Sequence, residues 1–472
     1  MYRIILFSMK GQLLHITPSK QQAHILMRWI GCQRFIYNAK VQDDRYFRTF
    51  ARKSLQLVGQ YAPIDQTYSQ YKAQAPFLKE VPSQILRNGA VQWRDAYSRF
   101  FARLGGRPKF KQRHGRQSTL VTSELFTLRQ NEHGNWFMDL GTKKYPVGSL
   151  RLNTRDIPIL PRMICISVHA GRWAVSFATP EQDSETRQAI QYPDYKEVLA
   201  HLSTYTDEEL FAAVNGVDRG VVLPACDAKG VIGQNLLTVN DRSNARKEQR
   251  KKRYQRQMAR QQKGSKRYQR TRLNVARIQR YRANCIKNMA QQVSHHMVAD
   301  STTMVVALED LSLKNMTASA KGTVDQPGKQ VRQKAGLNRS ILQSGWGQLR
   351  QYLLYKTFQR GKLLVFVPPH YTSQECSRCG TIDKASRRHQ SGFACTACGF
   401  TDNADRNAAR VIARHAAYGL IRNKQPGQEL STGGKGKPKS QTPVELHVSR
   451  EVIQSFHAHN HEAGNHLLNA WR

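Results

Sequence analysis

Met304-Val-Val-Ala-Leu-Glu309 runs apolar from its first residue and stops at a carboxylate. The run is too short for a stable helix and rich in β-branched residues. It reads as a strand buried on both faces, the kind found inside a parallel sheet. Working outward, Ala213-Val-Asn-Gly-Val217 is a second short apolar strand, and it leads to Asp218. Leu363 to Val367 is a third buried strand, and Asp405 stands at the start of a helical run, Ala408 to Ala417. An open α/β sheet places its site beyond the carboxyl ends of such strands. Asp218, Glu309 and Asp405 are therefore expected to converge.

Each of these acids alone is an ordinary solvated strand end. Together they stand out, because the chain has only 33 Asp and Glu against 74 Lys and Arg. Three converging carboxylates suit two Mg²⁺ ions roughly 3.5–4 Å apart, one activating water and the other stabilising the leaving 3′-oxygen of a phosphodiester. Hard oxygen ligands are what Mg²⁺ prefers.

Cys376-x-x-Cys379 and Cys395-x-x-Cys398 are each followed by glycine, Gly380 and Gly399. Two such knuckles supply four thiolates for one structural, tetrahedral Zn²⁺; four sulfurs leave no position for a reacting water. The competing reading is a pair of redox dithiols. The other cysteines, Cys32, Cys165, Cys226 and Cys285, are scattered and read as small buried hydrophobes in a reducing cytoplasm.

The 472 residues suffice for about three domains. A net charge of +41 opposes compaction unless a polyanion neutralises it, and nucleic acid is the first candidate. No stretch approaches the roughly 18 apolar residues of a membrane span, so export and membrane residence are not expected. Residues 2–7 and 12–16 read as strands, with Thr17-Pro18 opening a helix. A second helix runs from Pro82 to about Leu104 with interleaved arginines, followed by the basic loop Arg107 to Arg116. Trp29, Trp93 and Trp173 read as core rather than as stacking platforms. Residues 118–178 are hairpin-rich, turning at Ala170-Gly171; 180–212 read as a polar linker with some helix. Between Arg246 and Arg282 there are sixteen Lys and Arg against Glu248, in a helical hairpin broken at Gly264-Ser265. Residues 314–338 read as a mobile Gly- and Lys-rich stretch, and 423–472 as a flexible tail. In that tail His457, His459, His461 and His466 lack a partner motif, and Lys435 to Lys439 suit nonspecific RNA contact.

Gly216-Val-Asp218-Arg-Gly220, Ala307-Leu-Glu309-Asp-Leu311 and Asp405-Arg-Asn-Ala-Ala409 resemble the three parts of a split RuvC nuclease domain. Leu337-Asn-Arg-Ser340, Gly345-Trp-Gly347 and Tyr371-Thr-Ser-Gln374 follow in the matching order. Ile30-Gly-Cys-Gln-Arg-Phe-Ile-Tyr-Asn38, Pro82-Ser-Gln84 and Gly106-Arg-Pro-Lys-Phe-Lys111 match upstream. Over roughly residues 1–420 the chain resembles the TnpB family, transposon-encoded RNA-guided DNA endonucleases related to compact type V CRISPR effectors.

The resemblance implies a multidomain α+β and α/β protein. Its parts are wedge strands at 1–16, a helical recognition domain at 17–116, a wedge β-barrel at 117–190 and a RuvC-like, RNase H-type core at 191–369. That core carries the basic hairpin 243–298 and a lid at 314–338; a zinc ribbon at 370–400, a third RuvC part at 401–422 and the tail 423–472 follow. Asp218, Glu309 and Asp405 become catalytic Mg²⁺ ligands, and the four cysteines hold Zn²⁺. The implied partners are a guide RNA and double-stranded target DNA with its displaced strand, read beside a short adjacent motif. A monomer is favoured over a dimer. Arg87, Arg94, Arg103, Arg107, Lys109, Lys111, Arg250, Lys251, Lys252 and Arg253 are the expected phosphate contacts. Asp310 and Asp402 fall off the matched positions and read as outer or solvated acids. Arg219 departs from the family's aliphatic residue, either as a tolerated change or as a phosphate contact, and removes no metal ligand. A guide-loaded repressor that does not cut, and a guide-independent structure-specific nuclease, are the alternatives.

Overall fold

A computed structural model describes residues 9–422, apart from 52–56, 58–65, 104, 114–116, 155–156, 158–159, 181–192, 194, 231, 234–241 and 324. The strand expected at 2–7 and the tail 423–472, with its histidines and lysines, lie outside the described residues. The chain divides into two compact units, one within Met9–Gln188 and the other within Ala189–Glu462.

In the first unit, β1 (Met9–Ile16) leads to α1 (Lys20–Tyr46). The helix opens two residues beyond the Thr17-Pro18 signal. Ser19 Oγ accepts from Gln22 N and the Gln22 side chain accepts from Ser19 N, a reciprocal capping box that outcompetes the upstream threonine. After a turn of helix at Tyr71–Gln74, α2 (Ser83–Phe101) packs against α1. Then come β2 (Gln117–Thr122), β3 (Phe126–Gln130), β4 (Trp136–Gly141), β5 (Pro146–Arg151), β6 (Met163–His169) and β7 (Arg172–Pro180). They form a four-stranded sheet in the order β1-β7-β6-β2 and a three-stranded meander β3-β4-β5. Both sheets are open, so the expected closed barrel is not formed by the described strands: β1 and β2 are the two edges of one sheet.

One core joins the helices to both sheets. Leu26, Trp29, Cys32 and Ile36 of α1 and Ile85 and Leu86 of α2 meet Val121, Ile164, Val175 and Phe177. The helical and β segments that the sequence divides near residue 116 thus share one interior. Trp29 and Trp93 are buried, Trp173 packs against the core, and Cys32, Cys165, Cys226 and Cys285 are all buried thiols.

The described part of the second unit begins with α3 (Tyr195–Ser203) and α4 (Asp207–Ala213), helix within the segment read as a polar linker with some helix. β8 (Val214–Asp218), β9 (Ala225–Asp227), β10 (Ile232–Gly233), β11 (Val305–Glu309) and β12 (Leu363–Val367) form a mixed sheet in the order β10-β9-β8-β11-β12. β11 lies parallel to both β8 and β12, while β9 and β10 fold back antiparallel. Parallel neighbours need long crossovers. The first contains the basic hairpin, α5 (Arg242–Ala259) and α6 (Lys266–Ala299), joined through Gly264-Ser265 as expected. The second contains a turn of helix at Leu313–Met316, then α7 (Val331–Ser344) and α8 (Trp346–Gln359).

Residues 314–338 are therefore not a featureless stretch. Helix forms at both ends, and Lys334 Nζ and Asn338 Nδ2 reach back to the carbonyls of Met316 and Thr317 at 2.6 and 2.9 Å.

The apolar alternation of β11 explains its continuous run. Val306 and Leu308 pack with Met289, Val293 and Met297 of α6 and Leu349 and Leu353 of α8. Val305 and Ala307 face the other way, onto Leu202 and Leu210 and onto Ile412 and Ala416 of α9 (Ala404–Arg422). Each such side chain contributes about 1.5–3 kcal/mol of burial. Among the described residues no helix is long and apolar enough to cross a membrane.

Candidate active site and metal centre

Asp218 closes β8 and Glu309 closes β11. The register pairs Leu308 with Val217, so the two carboxylates sit one step further along adjacent parallel strands. Asp405 comes from the first turn of α9, where the Asn403 side chain caps the helix by accepting from Asp405 N at 2.9 Å and Arg406 N at 3.2 Å. The helix lies directly on β8. An added Cβ at Gly216 would collide with Ala409 O and Ala413 N. That glycine sets the closeness of Asp405's helix to Asp218's strand.

The electrostatics record the convergence. Burial, with Glu309 and Asp405 facing it, pushes the Asp218 carboxyl up to about 7. Burial also raises Glu309; Thr372, whose Oγ1 donates to Glu309 Oε1 at 2.6 Å, and Arg219 act against it. Burial raises Asp405, opposed by Arg387, whose guanidinium lies 3.8 Å away. Several acids that resist ionisation beside one another form a site short of positive charge. The donor set is oxygen throughout, which fits a hard divalent cation.

Arg219 does not face outward to phosphate. It is 5% exposed, donates Nη2 to the Glu309 carbonyl, and its Nε has no protein partner. Of the two readings of Asp402, outer or solvated, the solvated one does not hold: its side chain is 2% exposed and paired with Arg406 and Arg410 on α9. Asp310 is exposed, and its N–H continues the ladder to Val367 O at 2.8 Å.

The four cysteines come together, each offering a sulfur within 4.8 Å of the others. Cys376 and Cys398 Sγ are 3.7 Å apart, and Cys379 and Cys395 Sγ 3.6 Å. Four bonds of about 2.3 Å at tetrahedral angles place sulfurs roughly 3.8 Å apart, so the set fits zinc. Gly380 N donates to Cys376 O and Gly399 N to Cys395 O, at 2.9 and 3.1 Å. Both glycines have positive φ, +79° and +69°, which is why one follows each pair. The second knuckle spans the hairpin β13 (Gly392–Ala394) and β14 (Thr401–Asn403), which runs straight into α9.

The expected phosphate contacts divide. Arg103, Arg107 and Lys109 are exposed, as are Arg250, Lys252 and Arg253 on α5. Others are engaged within the protein: Arg87 pairs with Glu124 at 2.7 Å, Arg94 with Asp95 at 3.5 Å and Lys251 with Glu248 at 2.6 Å. Lys111 Nζ donates to Gln92 Oε1 at 2.5 Å and lies 4.0 Å over the Tyr37 ring.

Sequence reasoning assigned no role to Thr372, Arg387 or Asn407. Thr372 lies in the quoted Tyr371-Thr-Ser-Gln374 run, and Asn407 in Asp405-Arg-Asn-Ala-Ala409, so a signal existed for both. Nothing in the sequence marks Arg387.

Three family profiles match the chain. They are described as "Cas12f1-like, TNB domain" over residues 346–412, "Probable transposase" over 216–320 and "Helix-turn-helix domain" over 14–43. In this chain 14–43 comprises the end of β1 and one helix, α1. The chain is 31% identical over 439 residues to InsQ of Escherichia coli (strain K12), named as an RNA-guided DNA endonuclease; the alignment covers 91% of this chain and 96% of InsQ. It is 49% identical over 65 residues to the CRISPR-associated endodeoxyribonuclease Cas12f1 of Sulfoacidibacillus thermotolerans, 14% of this chain and 15% of that protein. A cryo-EM structure of a Cas12f1–sgRNA–target DNA complex is similar at a TM-score of 0.47 and 14% identity, over 83% of this chain and 82% of that one.

Proposed function

Because the chain belongs to the family of RNA-guided DNA endonucleases that includes InsQ, we propose that it hydrolyses target DNA beside a short adjacent motif, directed by a transposon-derived guide RNA. The observation that carries this reading is the placement of Asp218 and Glu309 at the ends of adjacent parallel strands, with the helix that begins at Asp405 packed on β8 at Gly216. The order of the five strands around them supports a RuvC-like, RNase H-type core.

Asp218, Glu309 and Asp405 would hold Mg²⁺, which when bound would lower the pKa of water and stabilise a leaving 3′-oxygen. The remaining work falls to the chain itself. Thr372 orients Glu309 through its 2.6 Å hydrogen bond. Asn403 fixes the first turn of α9, and with it Asp405. Arg387 stands beside Asp405 as a positive group for the scissile phosphate. Zn²⁺ on the four thiolates is structural. The exposed cations of α5 and of the loop after α2 neutralise guide and target backbones, leaving sequence to base pairing. All three carboxylates lie on one chain, so a monomer suffices, acting in the cytoplasm where guide and target are found.

The test is to purify the chain with co-expressed RNA and to offer a plasmid library matched to that RNA and randomised beside the target. Mg²⁺-dependent cutting next to one enriched motif, lost in Asp218→Ala and in EDTA, is the expected result. Target binding without cutting overturns the nuclease reading, and the absence of a discrete RNA overturns the guided one.

A further inference from the structure

We propose that Asn407 is a positioning residue that transmits the geometry of the first cysteine knuckle to Asp405, so that zinc on the four thiolates sets the catalytic carboxylate in place. Asn407 lies two residues beyond Asp405 on α9 and is 0% exposed. Its Nδ2 donates to Glu375 O at 2.8 Å, and its Oδ1 accepts from Ser377 N at 2.9 Å. Those two backbone groups flank Cys376. One amide thus grips both sides of a zinc ligand and fixes the register between knuckle and helix.

Further contacts on α9 hold the same three residues. Arg414 donates to the carbonyls of Cys376 and Ser377, both at 3.1 Å, and pairs with the Glu375 carboxylate. His415 Nε2 lies 2.7 Å from Glu375 Oε2. The hairpin that carries the second knuckle also meets the helix start, where Ala404 N donates to Ser391 O, just before β13, at 3.1 Å. The start of α9 is therefore held by the segments around both knuckles. When the four thiolates share an ion, the knuckles are one rigid body, and the first turn of α9 has a single position. When the ion is removed, the sulfurs take up protons and no bond ties the two knuckles together. Arg414 and His415 keep the helix attached, but the fine register at Asp405 is lost. A displacement of about 1 Å at a reacting group lowers a rate roughly 100-fold.

The inference rests on the nuclease reading for its cleavage measurement alone. Asn407→Ala in the full chain with its RNA is expected to retain zinc at one ion per chain and to bind matched target as the wild type does. Its single-turnover cleavage rate at saturating target should fall about 100-fold, and amide exchange across residues 404–410 should rise. Wild type stripped of zinc by a chelator should show the same rise at 404–410, whether or not any substrate is present. If Asn407→Ala does not fold, the zinc-stripped wild type still decides. Unchanged exchange at 404–410 after zinc removal overturns the proposal, and so does wild-type cleavage by a folded Asn407→Ala. A wild type that never cuts guided target, yet shows the coupled exchange, overturns the nuclease reading and leaves the latch standing.

Discussion

Gly216→Ala adds one methyl group at the point where α9 rests on β8. The new Cβ would stand 3.0 Å from Ala413 Cα and closer still to Ala409 O and Ala413 N. A carbon–oxygen contact needs about 3.3 Å, so helix and strand must separate by something on the order of 1 Å. The obstructing atoms are backbone, and no smaller side chain on α9 relieves them. Overpacking of this kind costs about 1–3 kcal/mol, which lowers Tm by several degrees in a domain of this size. The same separation carries Asp405 away from Asp218, because Gly216 and Asp218 lie two residues apart on one face of β8. An ångström there lowers the rate roughly 100-fold. The assay is single-turnover cleavage of a matched target, with target binding and thermal unfolding measured on the same preparation. Wild-type cleavage together with an unchanged Tm would refute the close-packing argument. Lost target binding would show that the damage is not confined to the site.

Other outcomes follow from the site's charges. Asp218 holds its proton to about pH 7 in the metal-free protein, so proton and cation compete for it. About tenfold more divalent cation should be needed for half-maximal cleavage at pH 6 than at pH 8, which a cation titration at the two values checks. The stability of the metal-free protein runs the opposite way. A carboxyl raised above its unfolded value stabilises at low pH, and that contribution is lost as pH rises through 7, visible as a falling Tm across pH 5–8 in EDTA. Thr372→Val keeps the shape but removes the donor to Glu309 Oε1. A hydrogen bond to a charged group is worth about 1.5–3 kcal/mol, so cleavage at limiting cation should fall on the order of tenfold or more. Arg387→Ala should leave target binding intact and slow cleavage about 100-fold, read by the same single-turnover assay.

The framework of the second unit was legible because its signals are local. Five apolar residues ending at Glu309 can hardly be anything but a central strand, and Gly264-Ser265 interrupts a helical pattern visibly. The two Cys-x-x-Cys-Gly knuckles carry their own turn chemistry. What escaped the sequence depends on partners far along the chain. Thr372 finds Glu309 across 63 residues, and Asn407 finds Glu375 across 32. Arg219 illustrates the same limit in reverse, since a guanidinium next to Asp218 can be read as a phosphate contact until its burial is seen. Composition alone marked residues 314–338 as Gly- and Lys-rich, and it carries no sign of the bond by which Asn338, midway along α7, reaches back to Thr317 O. Barrel closure is not written in strand patterns at all, because alternation fixes which face is buried and leaves the edges undetermined.

The three carboxylates are separated by long crossovers, with Asp405 contributed by the last described helix. Chains are made from the amino terminus, and domains fold as they emerge. Among the described residues the core of the Met9–Gln188 unit runs from Leu14 to Phe177, all of it synthesised while the ribosome is still far from Asp405. A nascent chain, or one truncated by a premature stop between Glu309 and Asp405, owns two carboxylates and no third. Synthesis thus finishes the amino-end core first and delivers the third carboxylate of the cluster last.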